Sequence, residues 1–198
     1  MDSIRTVKQI SQDCFGITTS AGSSFYIRTV YLKHISQDDL FVGRCLDEES
    51  VEDLTEAYGC FAAEKYACSY LESREQGRFM LTQKLLKKGY EKKYIEQALD
   101  YLEQRNYLDD FRFAEAWLRN RMIHHTEGRV KLLGELMMRG IDRYVAEKAL
   151  DSFFSSFDET MLLEKVIDKY KRQGLSAEVM KKKLVSKGFC YKSILLKI

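Results

Sequence analysis

Basic side chains offer the clearest chemistry in this chain, and they gather toward its C-terminal end. Residues 160–198 carry 10 lysines and arginines against 3 acidic residues, whereas residues 1–60 carry 5 against 10. The formal net charge of the whole chain is only +2, so the excess of cations is local. Such an excess favours a polyanion or an acidic protein surface as partner, and a solvated lysine-rich helix is the alternative explanation.

The candidates for contact with such a partner are basic residues predicted to lie on exposed helix faces. Arg129 and Lys131 would open a helix, whose free backbone N–H groups also attract phosphate. Three consecutive lysines at 181–183 turn through about 200° of a helix, so they cannot all face one surface. The prediction therefore concerns the set rather than any single member. The set is Arg119, Arg121, Arg129, Lys131, Arg139, Lys171, Arg172, Lys181, Lys182, Lys183 and Lys187.

Other chemistry has little support in the sequence. His124 and His125 are adjacent and would point about 100° apart on a helix, which is poor geometry for one metal ion. The five cysteines are scattered without a CxxC pair, which indicates reduced thiols in a cytoplasmic protein. No Gly-rich phosphate-binding loop is present. We therefore expect no enzyme, no bound metal and no cofactor.

Four aromatic residues could stack on nucleic-acid bases. Aromatic residues at helical spacing are more often part of a core, and we take that as the simpler interpretation. The four are Tyr70, Tyr101, Tyr107 and Phe111.

Three copies of one helical unit would position these side chains. A glycine recurs at Gly89, Gly140 and Gly188, at spacings of 51 and 48 residues, and a leucine precedes each by four positions. Self-similarity at a nearly fixed period indicates tandem supersecondary units. Stacked units of this kind form an elongated, curved array, which suits an elongated partner. Each glycine fits the left-handed position that ends a helix.

Each unit divides into three helices in the manner of a helix-turn-helix bundle. The predicted helices lie near 62–75, 78–88 and 91–104, near 110–124, 128–139 and 142–154, and near 159–173, 176–187 and 190–198. Ser50 is predicted to cap an earlier helical stretch, with Asp53 in the position of a capping-box acid. Gly59 either breaks that stretch or lies within it.

The region before the helices has the composition of short strands. Residues 3–32 alternate and are rich in strand formers, with a turn at 20–23, so a small hairpin or meander packed on the helices is expected. The fold class is therefore mainly α with a small β region in front. The domain prediction is a β-rich region at 1–49, a linker helix with the first unit at 50–108, a second unit at 109–157 and a third at 158–198.

The junction between the first and second units has a clear local interpretation. Asp109 or Asp110 is placed to accept hydrogen bonds from the free N–H groups of the next helix. Phe113 and Ala114 then begin the buried stripe of that helix. Capping and core packing thus explain this stretch without any catalytic role.

At this junction the chain resembles the RecX family, the regulators of the RecA recombinase. Tyr107-Leu108-Asp109-Asp110, followed by Phe113-Ala114, is similar to the most recognisable motif of the family. Residues 70–74 with 87–90 are similar to its first-repeat signature, and residues 128–141 with 147–150 are similar to its second. The chain departs from the pattern at Gln76-Gly77, where a basic residue and serine are common, and its third repeat keeps little of the motif.

The resemblance implies a non-enzymatic modulator. Members of the family bind the RecA–single-stranded DNA filament, lie in its groove, and usually lower its ATPase, strand-exchange and co-protease activities, which places them in DNA repair, recombination and the SOS response. The implied partners are the RecA filament and single-stranded DNA, with double-stranded DNA as a further candidate. A repeat array needs no second copy, so a monomer is expected.

Two alternatives stay open at this point. One is a helix-turn-helix DNA-binding protein that acts without RecA. The other is a helical scaffold that binds protein only. A membrane protein is not expected, because no apolar run approaches the roughly 18 residues needed to span a bilayer and the N-terminus lacks the apolar core of a signal peptide.

Overall fold

The structure is a computed structural model and describes residues 2–198. In this part of the chain a four-stranded antiparallel sheet precedes nine α-helices. The strands are β1 (Asp2–Gln9), β2 (Cys14–Thr19), β3 (Ser24–Arg28) and β4 (Cys45–Leu46). The helices are α1 (Glu48–Leu71), α2 (Arg78–Lys87), α3 (Lys92–Gln104), α4 (Asp110–His124), α5 (Arg129–Met137), α6 (Arg143–Ser156), α7 (Glu159–Arg172), α8 (Ala177–Ser186) and α9 (Tyr191–Leu195). The predicted fold class, mainly α with a small β region in front of three-helix repeats, is confirmed.

The sheet has the order β3-β2-β1-β4, and each strand runs antiparallel to its neighbours. Ile17 of β2 pairs with Val7 of β1 and with Phe25 of β3, so the side chains of these three residues point to the same face of the sheet. Buried Ile4, Ile17 and Ile27 share a core cluster with residues of α1. The sheet is therefore stabilised by packing on a helix, as expected for a meander too small to be stable alone.

The first helix differs from the prediction at its start. Asp47 rather than Ser50 is the N-cap, and its carboxylate accepts the N–H of Ser50 at 2.9 Å. The predicted capping box is wrong because Asp53 serves the preceding loop. Its carboxylate is buried and accepts the backbone N–H groups of residues 33, 34 and 35 at 2.9–3.1 Å.

The expected separate helix at 62–75 is also wrong, since α1 runs without interruption from Glu48 to Leu71. Gly59 lies inside this helix. A Cβ at this position would come within 2.8 Å of the Tyr94 ring. Glycine thus allows α3 to pack closely on α1, which explains a helix breaker in the middle of a long helix.

By its contacts the chain forms two compact units. The first comprises Met1–Arg74 with Leu81–Leu108, and the second comprises Glu75–Met80 with Asp109–Ile198. The first has one core, shared by the sheet, α1 and α3. The second contains one core cluster within α4–α6 and one within α7–α9. The division into four segments stays a prediction.

The recurring glycines end α2, α5 and α8 as predicted. Gly89, Gly140 and Gly188 have φ angles of 90°, 79° and 83°, which are left-handed values that side chains disfavour. In each case the residue after the glycine donates its backbone N–H to a carbonyl oxygen at 3.2 Å. That oxygen belongs to the leucine four positions before the glycine. This 6→1 bond is the Schellman arrangement, and it explains why the leucine and the glycine recur together.

A repeated contact, here called the joint, occurs at two helix starts within the second unit. At the first joint Asp110 accepts the backbone N–H of Arg78 at 2.7 Å, while Asp109 caps α4 itself. At the second joint Glu159 accepts the backbone N–H of Arg129 at 2.8 Å. The first residue of α4 or α7 therefore caps the second helix of the preceding repeat.

Glycines allow the close approach at both joints. A Cβ on Gly77 would lie 3.2 Å from the Phe113 ring, and a Cβ on Gly128 would collide with the backbone of Gly188. The corresponding residue before α8 is Ser176. Its hydroxyl accepts the N–H of Val179 at 3.5 Å, so this helix is capped by its own serine.

Candidate nucleic-acid and partner interface

Glu127 pairs with two of the predicted contact residues. It is 3% exposed and accepts hydrogen bonds from Arg121 and Lys131, both at 2.8 Å. Burial alone would raise the pKa of Glu127, but the hydrogen bonds from these two cations outweigh it and lower the pKa to about 2. Glu127 is therefore ionised, and Arg121 and Lys131 are compensated within the protein.

Three backbone N–H groups at the start of α5, which were expected to attract phosphate, are already bonded within the protein. The N–H of Arg129 bonds to Glu159, and the N–H groups of Gly128 and Val130 bond to the carbonyls of Lys187 and Gly188 at 2.9 and 3.1 Å. The Arg129 guanidinium pairs with Asp151 at 2.6 Å. The third repeat thus occupies the position that an anion would take.

Two further arginines of the second repeat also have partners nearby. Arg139 pairs with Glu135 at 2.7 Å, and its guanidinium carbon lies 4.5 Å from the centre of the Trp117 ring. Arg119 is exposed and lies 3.9 Å from Glu115, a loose surface pair. Each cation predicted in the second repeat therefore has an acidic neighbour in the same repeat.

Four of the predicted cations lie in the third repeat without a carboxylate partner in the described part of the chain. Lys171, Arg172, Lys181 and Lys183 form no ion pair with any residue that the structure describes. The Nζ atom of Lys183 lies 5.7 Å from the centre of the Tyr170 ring.

Two other lysines of the predicted set make contacts of different strength. Lys187 donates to the Thr126 carbonyl at 3.2 Å, and this contact holds its side chain in place. Lys182 pairs with Glu178 at 3.3 Å, but both side chains are largely exposed. Lys182 is therefore exposed, whereas Lys187 is partly buried and held by a backbone carbonyl.

Sequence reasoning missed two cations on α7. Lys165 and Lys169 are exposed and lie with Arg172 at the spacing i, i+4 and i+7, which places all three on one stripe of the helix. They line a shallow groove together with Asp168 and Gln173. The buried residues of α7 occupy the opposite face. The three-and-four spacing of basic residues was the signal that could have identified this stripe.

The aromatic candidates are mostly part of the core. Tyr101 is buried, and Tyr70 and Phe111 are half-buried. The Nζ atom of Lys84 lies 4.5 Å from the centre of the Tyr70 ring, and that of Lys148 lies 5.0 Å from the centre of the Phe111 ring. Tyr107 differs, because 62% of it is exposed.

The remaining motif residues have structural positions. Leu108 is buried in the core of the first unit, and Ala114 is buried in the second, where Phe113 packs against the same cluster. Residues 2–198 contain no group of three or more His, Cys, Asp or Glu side chains arranged to bind a metal ion. No helix in the same range is long and apolar enough to cross a bilayer.

Comparison with known proteins gives the same family at three levels. The family model for the first three-helix domain of RecX matches residues 63–102, and the model for the second matches residues 109–150. The chain is 38% identical over 130 residues to the regulatory protein RecX of Treponema pallidum, which covers 66% of this chain and 79% of that protein. It is 27% identical over 184 residues to the regulatory protein RecX of Clostridium tetani, covering 86% and 84%.

Solved structures share the fold. A crystal structure of a regulatory protein RecX superposes with a TM-score of 0.77 at 19% identity, covering 98% of this chain and 97% of that one. The RecX structure from Lactobacillus salivarius gives a TM-score of 0.58 at 24% identity, covering 69% and 92%. With the sequence relationship to the Treponema protein, these observations establish that the chain belongs to the RecX family of regulatory proteins.

Proposed function

We propose that this protein binds the RecA–single-stranded DNA filament and lowers its ATPase, strand-exchange and co-protease activities. The proposed activity is binding, with no chemistry of its own. Membership of the RecX family supports RecA as the partner. The uncompensated cations of the third repeat support an anionic component of the binding surface, and this is the observation that carries the proposal.

The physical argument rests on which cations the fold has already neutralised. Four of the predicted cations form ion pairs with buried or neighbouring carboxylates, namely Arg121, Arg129, Lys131 and Arg139. The cations of the stripe on α7, together with Lys181 and Lys183 of α8, have no carboxylate partner among the described residues, so a phosphate backbone gains most from contact with the third repeat. Binding of this kind releases counterions and weakens steeply as salt rises. A protein lying along the filament groove would obstruct a second DNA strand or a co-protease substrate.

The decisive experiment titrates the protein into RecA turning over ATP on single-stranded DNA, beside a binding assay on the same DNA without RecA. We expect ATPase to fall at protein concentrations too low to coat the bare DNA. Binding to bare DNA with unchanged ATPase would contradict the proposal and favour a direct DNA-binding protein. Salt-insensitive binding to RecA in the absence of DNA would favour a protein-only scaffold.

A further inference from the structure

A polar groove in the first compact unit lies where the β1–β2 turn meets the end of α3. It has a volume of about 580 Å³, within the roughly 300–1,000 Å³ of typical ligand pockets. Its lining combines planar cations, aromatic rings and amides. The lining residues are Gln12, Asp13, Arg28, Gln37, Tyr101, Arg105 and Tyr107.

The floor of this groove is held by a network of ion pairs and hydrogen bonds. Arg28 binds both carboxylate oxygens of Asp13 at 2.8 Å and both of Glu64 at 2.6 and 3.0 Å. Its guanidinium carbon lies 4.8 Å from the centre of the Tyr101 ring. Tyr31 donates its hydroxyl to Glu64 at 2.9 Å. Since Arg28 is already paired with two carboxylates, the floor of the groove offers a ligand a packing surface and no unpaired cation.

The rim of the groove carries a cation that has no carboxylate partner among the residues that the structure describes. Arg105 is exposed, its guanidinium carbon lies 5.4 Å from the Tyr101 ring centre, and it forms no ion pair with any residue between positions 2 and 198. Asn106 follows with a φ of 59°, a left-handed conformation that ends α3 and turns the chain sharply. This turn brings Tyr107 to the groove beside Arg105.

Tyr107 borders a second hollow as well. A smaller concavity of about 290 Å³ is lined by Tyr107 with Cys68, Leu71 and Glu72, and its surface is mostly apolar. The exposed tyrosine therefore stands between a polar groove and an apolar hollow, both within the first unit. A planar ligand group could lie against this ring from either hollow.

We propose that this groove takes a nucleotide of single-stranded DNA, with its base stacked on Tyr107 and its phosphate on Arg105. The inference deepens the proposed function and rests on its single-stranded DNA ligand. Stacking on tyrosine suits any base, and an exposed arginine suits the phosphate oxygens. A carboxylate-bearing peptide would use Arg105 alone, whereas a nucleotide would contact both Arg105 and the exposed ring of Tyr107, so the nucleotide is favoured.

The test measures the affinity of the purified full-length protein for a short fluorescein-labelled oligothymidylate by anisotropy, without RecA. Tyr107→Leu should weaken binding about tenfold, in line with the loss of one stacked base. Tyr107→Phe, which keeps the ring, should stay within about twofold. Arg105→Gln should weaken binding and make it less sensitive to salt. The matched control is Tyr144→Leu, since Tyr144 is 75% exposed and lines neither hollow.

Wild-type affinity in Tyr107→Leu, or an equal loss in Tyr144→Leu, would overturn the inference. It would also be overturned if Arg105→Gln and Tyr107→Leu bind the oligonucleotide normally but bind DNA-free RecA more weakly, because the groove would then be a peptide site. The RecA ATPase titration with wild-type protein separates the two proposals. Inhibition combined with Tyr107-independent DNA binding removes the nucleotide site alone. Tyr107-dependent binding without inhibition supports the site and removes the proposed function.

Discussion

Glu159 accepts the backbone N–H of Arg129 at 2.8 Å, and this contact reproduces the one between Asp110 and Arg78 at 2.7 Å. The two acids differ in length, and the helices they cap lie in different repeats. What is shared is the position, because each acid is the first residue of its helix. The joint is therefore a property of the repeat, and either carboxylate satisfies it.

The first prediction concerns the cap at the first joint. Burial raises the pKa of Asp110, because it disfavours the charged carboxylate. The hydrogen bond from the N–H of Arg78 stabilises that carboxylate and partly offsets the rise in pKa. Asp110→Ala should lower the free energy of unfolding by about 1–2 kcal/mol, because a helix start loses its acceptor. Urea titration followed by Trp117 fluorescence measures this. Glu178→Ala, which removes an exposed acid, should change it by less than about 0.5 kcal/mol; equal effects would refute a capping role.

The second prediction separates backbone strain from packing at a glycine. Gly140 and Gly174 both have positive φ, 79° and 71°, but only at Gly140 would a Cβ collide, with the Phe79 side chain. Gly174→Ala should cost about 1 kcal/mol from strain alone. Gly140→Ala should cost about 2–4 kcal/mol, since the clash adds to the strain. Thermal or urea unfolding of the two variants checks this, and equal losses would show that the close approach carries no energy.

The third prediction is a pH dependence that originates in Glu127. Its pKa of about 2 lies below its ordinary value of 4.5, so its charge stabilises the fold above that value and the contribution is lost as pH falls toward about 2. Glu127→Gln should be about 2 kcal/mol less stable at neutral pH, allowing for the partial exposure of Arg121 and Lys131. It should also lose less stability on acidification than the wild type.

Urea unfolding at about pH 7 and about pH 3 measures the difference. Glu178→Gln is the matched control, since that carboxylate is 81% exposed and its removal should leave both values close to wild type. Parallel acid losses in wild type and Glu127→Gln would place the acid sensitivity elsewhere.

The fourth prediction concerns the stripe on α7. The variant with Lys165→Gln, Lys169→Gln and Arg172→Gln should flatten the plot of log affinity for single-stranded DNA against log salt by about 2, at roughly 0.7 per lost phosphate contact. The same variant should also inhibit RecA ATPase less than the wild-type protein does at equal concentration.

A control with equal charge loss is Lys33→Gln, Lys92→Gln and Arg143→Gln, whose cations are exposed, pair with acids and lie outside the third repeat. It should keep the wild-type slope. Identical slopes for the two triple variants would mean that net charge, rather than the α7 stripe, governs binding.

The repeats were predictable because their signal is local. A left-handed residue at the end of a helix favours glycine, and the 6→1 bond fixes the leucine before it, so both recur in the sequence. The start of α1 was not predictable in the same way. Asp53 had the spacing of a capping acid, but its acceptor atoms are used by residues 33–35, about 20 positions earlier.

The candidate surface was harder to predict, because the compensation of a cation depends on distant carboxylates. Asp151 lies 22 residues beyond Arg129, and the acceptors of the α5 N–H groups lie in the third repeat. Composition places the positive charge in residues 160–198 correctly, since acids are scarce there. It does not show that Lys187 is held by a carbonyl while Lys165 and Lys169 share a stripe with Arg172.

Ser176 has a consequence for how this repeat could be re-engineered. The equivalent residues Gly77 and Gly128 leave room for the following repeat, whereas Ser176 fills that place with a side chain that caps its own helix. Glycine at this position thus lets another part of the chain pack against the start of the second helix. Serine instead caps that helix with its own side chain. A designed array would be lengthened by glycine at this position and an acid at the first residue of the added repeat, and shortened by serine.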